Sequence, residues 1–101
     1  PPSVNEVNSI KVLKYELMAF SALLNKNEKT AEKWMQQATE AEETTTYNYG
    51  PPNIVKPSFE LYGEWLVEKD RKKEARQQFE KVLERAPKRR LAIMGLENTK
   101  S

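Results

Sequence analysis

The chain has 101 residues, room for one small domain, with 38% apolar and 32% charged residues and 17 Lys and Arg against 15 Asp and Glu. That balance suits a folded chain with a modest core rather than a disordered one. Cys and His are both absent, which excludes disulfides, thiolate and imidazole metal sites, Ser–His and Cys–His catalysis and a histidine general base.

Apolar residues at Val7, Ile10, Leu13, Leu17, Phe20 and Leu24 are spaced by three and four, which predicts a first helix over 4–24. The run from Leu17 to Leu24 reads as part of that helix and not as a signal peptide, since no cleavage pattern follows it. Asn25-Lys26-Asn27 forms a turn, with Asn27 as the N-cap of a second helix whose apolar face is Ala31, Trp34, Met35, Ala38 and Ala41. That helix fades at Glu42 and Glu43. Tyr47 to Pro57 holds three Pro and a Gly in eight residues and is a loop, with Tyr47 and Tyr49 as its own aromatic anchors.

Ser58 caps a third helix over 59–69, bearing Phe59, Leu61, Tyr62, Trp65 and Leu66. Asp70 starts a fourth, with Ala75, Phe79, Val82 and Leu83 at helical spacing until Pro87 stops it. Lys88 to Glu97 forms one more short helix with Leu91, Ile93, Met94 and Leu96. Trp34 and Trp65 read as core. No segment alternates strictly, so the expected fold class is all-α.

The chain repeats itself. Gly63 and Ala75 are 12 residues apart, with Phe79 four residues later and Pro87 at the end. Ala19 and Ala31 are again 12 apart, with Met35 and Ala38 following. Ala31 and Ala75 are separated by 44 residues, about ten more than a helix-hairpin repeat of 34, and the surplus is the Tyr47–Pro57 segment together with the overrun of the preceding helix. Small residues such as Gly63 and Ala75 let two antiparallel helices approach closely, and aromatics then fill the gaps.

The frame Phe59, Tyr62, Gly63, Leu66, Ala75, Phe79, Val82, Pro87 resembles the tetratricopeptide repeat, with Leu66 for the usual Tyr and Val82 for the usual Ala. The stretch from Lys14 to Leu96 resembles the C-terminal part of large bacterial tetratricopeptide-repeat proteins. The residues that carry this are Tyr47-Asn48-Tyr49-Gly50-Pro51-Pro52, Lys56-Pro57-Ser58, Glu60-Leu61-Tyr62-Gly63-Glu64, Arg85-Ala86-Pro87-Lys88-Arg89 and Met94-Gly95-Leu96. The resemblance implies antiparallel helix-hairpin repeats in a right-handed superhelix and a non-catalytic protein-binding scaffold. Its parts are a first hairpin over 4–44, a loop over 45–57, a second hairpin over 58–87 and a capping helix over 88–98. Because the chain begins at Pro1, it reads as a fragment of a longer polypeptide.

In such a scaffold the concave surface is lined by first-helix residues, here Glu16, Phe20, Glu60, Glu64 and Glu68 as the expected partner-binding set. Glu60, Glu64 and Glu68 are spaced i, i+4, i+8 as an acidic ridge, suited to a basic or amphipathic peptide, or else a solvated face. Repeats that grip acidic C-terminal tails use Lys and Asn where Glu16 and Glu60 stand, which argues against that ligand. Two rivals remain. One is a purely structural end-cap of a longer solenoid. The other is nucleic-acid binding through residues 69–90, which hold ten Lys or Arg against four acids and include Lys72, Lys73, Arg76, Lys88, Arg89 and Arg90.

No enzyme is expected. The three Gly are scattered at Gly50, Gly63 and Gly95, so no phosphate-cradling loop exists, and Glu60 with Glu64 is an ordinary helical pair. No cofactor, metal, small-molecule substrate or membrane partner is expected, since no run approaches the ~20 apolar residues of a span. Two hairpins are few for a solenoid, so exposed end faces should meet further repeats or a second copy of the chain.

Overall fold

The computed structural model describes residues 4–43 and 57–100. They form five helices, α1 (Val4–Leu24), α2 (Glu28–Glu43), α3 (Ser58–Glu68), α4 (Lys72–Arg85) and α5 (Arg90–Asn98), with no strand among the described residues. The fold is all-α. Tyr47, Tyr49 and the loop up to Lys56 lie outside the described residues. The chain divides into two compact units, Pro1–Ser58 and Phe59–Ser101.

In unit 1, α1 packs on α2. The turn between them is a Schellman motif. The Asn27 N–H donates to the Ala22 carbonyl at 2.8 Å and the Lys26 N–H to the Leu23 carbonyl at 3.0 Å. Lys26 sits in the left-handed region at φ 59°, a conformation that closes helix C-termini. Asn27 is the expected N-cap: its Oδ1 accepts from the Thr30 N–H at 3.3 Å and its carbonyl accepts from the Ala31 N–H at 3.0 Å. The packed face is small: Ala19, Ala31, Met35 and Ala38 have no exposure, with Val12, Glu16 and Ala22 also buried. Val7, Ile10, Leu13, Leu17, Phe20 and Leu24 are all exposed, because the helix pair closes on the alanine row instead. Trp34 is half-buried and stacks on Tyr15, centroids 5.6 Å apart. α2 also runs on through Glu42, which is buried. Unit 1 ends at Ser58, whose N–H and hydroxyl both donate to Glu42 Oε1, at 2.5 and 2.7 Å. The Ser58 hydroxyl therefore serves Glu42 rather than acting as a free cap.

Unit 2 repeats the turn. The Arg71 N–H donates to the Leu66 carbonyl at 2.9 Å and the Asp70 N–H to the Val67 carbonyl at 3.0 Å, with Asp70 at φ 59°. Asp70 is thus the left-handed residue that ends α3, and Arg71 is the N-cap of α4, a correction to the expected start at Asp70. Each element of this turn lies 44 residues after its counterpart: Leu66 after Ala22, Asp70 after Lys26, Ala75 after Ala31. The counterparts Ala19 and Gly63, Met35 and Phe79, and Ala38 and Val82 are all buried. The offset read from the sequence is therefore repeated in hydrogen bonds and burial.

The core of unit 2 is the Phe79 ring, fully buried. A Cβ on Gly63 would lie 2.9 Å from the Phe79 Cε1 and Cζ, and a Cβ on Gly95 would lie closer still. The partner that Gly63 makes room for is this ring, and Gly95 of α5 faces the same ring. α4 packs on α5 after the chain turns at Ala86, whose backbone is extended (φ −139°) ahead of Pro87. The end of α5 is tied back by Arg76, whose guanidinium donates to the Thr99 hydroxyl and carbonyl at 3.4 and 3.3 Å. α5 buries its small residues Ala92 and Gly95 and leaves Leu91, Ile93 and Met94 exposed. Arg90, Glu97 and Asn98 are exposed beside them, so the outer face of this helix is mixed.

Gly63→Leu should overpack the ring and destabilise by about 1–3 kcal/mol or more. Gly95→Ala should also lower the melting temperature, although alanine gains ~1 kcal/mol of helix propensity. The loss should shrink when Phe79 is changed to Leu in the same chain. Thermal denaturation by circular dichroism reads all three, and an unshifted Gly95→Ala would refute this packing.

Candidate protein-binding surfaces

The five residues expected to bind a partner fall in different environments. Glu16 is 4% exposed and Glu60 has no exposure. They are counterparts, 44 residues apart, so the repeat turns this position inward and neither carboxylate lines an open groove. Glu60 accepts a two-pronged ion pair from Arg89, Nε to Oε2 at 2.6 Å and one terminal nitrogen to Oε1 at 2.9 Å. This corrects the ridge at its first member. Glu64 is half-buried, and Glu68 and Phe20 are exposed. The basic region is also partly engaged within unit 2. Arg71 pairs with Glu74 at 2.6 Å, Arg76 holds Thr99 and Arg89 holds Glu60. Trp65 is buried as expected, its ring flanked by Lys69 Nζ at 5.8 Å and the Arg71 guanidinium at 5.6 Å.

Glu64 nevertheless belongs to a concave site. A groove of about 190 Å³ in unit 2 is lined by Glu64 and Val67 of α3, the Phe79 ring, and Leu91, Met94, Gly95 and Asn98 of α5. Its walls are apolar, with one carboxylate and one amide at the rim. Such a mixture receives an apolar side chain and orients a neighbouring cation or amide. The sequence signal for its α5 wall was the i, i+3, i+7 spacing of Leu91, Met94 and Asn98 on the last helix, which sequence reasoning did not single out. A second groove, of about 380 Å³, runs along α1 between Ile10, Leu13, Lys14, Leu17, Met18 and Ser21.

Among the described residues no three Asp or Glu side chains gather as a metal set, and no helix is long and apolar enough to cross a membrane. No protein family, curated protein or solved structure matches the chain.

The buried pair makes a sharp contrast with the rest of the ridge. Arg89→Ala removes both guanidinium contacts from the buried Glu60 carboxylate and should cost about 1–3 kcal/mol. Glu64→Gln and Glu68→Gln should each stay within about 0.5 kcal/mol. Urea denaturation of the three variants measures this, and a silent Arg89→Ala would show that the pair is not structural.

Proposed function

We propose that the chain is a non-catalytic protein-interaction scaffold of the tetratricopeptide-repeat type, and that the α3–α5 groove of unit 2 receives a basic or amphipathic segment. The observation that carries the reading is the groove itself: apolar walls from Val67, Leu91 and Met94 with Glu64 at the rim. The hairpin turn repeated at 44 residues supports the repeat assignment, and so do the small residues at Ala19, Ala31, Gly63 and Ala75. A segment with a leucine or similar side chain would fill the groove, and a Lys or Arg beside it would meet Glu64. Glu60 takes no part in contact, since its carboxylate is internal.

The test is an NMR titration of the ¹⁵N-labelled chain with a helical peptide carrying a leucine face and a lysine face. Saturable shifts should centre on Val67, Met94 and Gly95, and added salt should weaken them. Glu64→Gln should weaken binding by about threefold to tenfold, whereas Glu68→Gln, outside the groove, should not. Shifts scattered elsewhere, or equal binding by Glu64→Gln, would remove this reading.

A further inference from the structure

α1 is the longest described helix, 21 residues, and its outer face carries an uninterrupted apolar seam. Ile10, Leu13, Leu17, Phe20 and Leu24 follow steps of three, four, three and four, the a and d spacing of a coiled coil. All five are exposed, Leu24 by 85%. With Val7 they leave on the order of 600 Å² of apolar surface, the upper end for the largest patch of a monomer.

Leu17 and Leu61 are the same residue at the same repeat position, yet Leu17 is 58% exposed and Leu61 is 8% exposed. An apolar row of matching three–four spacing interdigitates with such a seam, and among the described helices α1 alone has five such positions in succession. Pairing two α1 faces removes at most about 1,200 Å², the lower bound of a specific interface. The groove along the seam contains a single charged residue, Lys14, among Ile10, Leu13, Leu17, Met18 and Ser21, so pairing buries little charge.

We infer that the outer face of α1 is a self-association surface, and that its occupant is α1 of a second copy related by a twofold axis. The contact is isologous, so it closes at two chains. It does not depend on the unit 2 groove, which lies on other helices.

Sedimentation equilibrium over micromolar to millimolar concentrations tests this. The chain should approach twice its monomer mass as concentration rises. Leu17→Glu should weaken the dimer by about tenfold or more, with an unchanged far-ultraviolet circular dichroism spectrum because the side chain is exposed. Should that variant lose helicity, Leu24→Glu at the end of the helix decides in its place. Ile93→Glu on α5, exposed and outside the groove, should leave the dimer intact. A chain that stays monomeric, a dimer that resists the α1 substitutions, or one broken by Ile93→Glu would overturn the inference. None of these results would alter the peptide titration of the α3–α5 groove.

Discussion

The second unit depends on one steric constraint: two glycines set against a single phenylalanine ring. Phe79 has no exposed surface, and neither Gly63 of α3 nor Gly95 of α5 has room for a methyl group against it. Glycine within a helix is unfavourable by about 1 kcal/mol relative to alanine, so both helices carry that cost to admit the ring. The return is close packing of three elements around a single aromatic anchor, where dispersion contacts are densest. The first unit meets the same requirement with less volume, setting Ala19 and Met35 where the second sets Gly63 and Phe79.

Buried charge has a different role. The Glu60–Arg89 pair joins α3 to the turn before α5, and α5 supplies one wall of the groove. Desolvation offsets much of the Coulomb attraction of such a pair, so its contribution is more to a defined arrangement than to net stability. Here it fixes where Leu91 and Met94 stand relative to Glu64. Burial of Glu60 thus governs the carboxylate that remains accessible one turn along the same helix.

Helix positions and the 44-residue offset were legible because they rest on local chemistry: three–four periodicity, Asn27 as a cap, and Pro87 as a stop. The inward faces of α2, α3 and α4 were legible too: Ala31, Met35 and Ala38, then Phe59, Leu61, Tyr62, Trp65 and Leu66, then Ala75, Phe79 and Val82 are buried. Apolar periodicity was no guide on α1, where the large apolar residues stay exposed and the alanine row packs, because two helices approach most closely over small side chains. The same substitution of small for large occurs on α5, where Ala92 and Gly95 turn inward and Leu91 and Met94 outward. The acidic ridge failed at Glu60 because its partner Arg89 lies 29 residues away in sequence. No helical spacing rule reaches that far. Glu64 was found, while the wall facing it was not.

The two turns carry a lesson about resemblance. Lys26 and Asp70 share φ 59° and the same pair of backbone hydrogen bonds, although one side chain is cationic and the other anionic. Because the turn is closed by main-chain groups, the residue at its tip is left to vary in charge and size. Ala31 and Ala75 are the same residue at the same place after each turn, while most of their neighbours differ. The two turns therefore agree in their pattern of backbone donors and acceptors more closely than in their side chains, and a substitution at either tip that tolerates the left-handed conformation leaves that pattern in place.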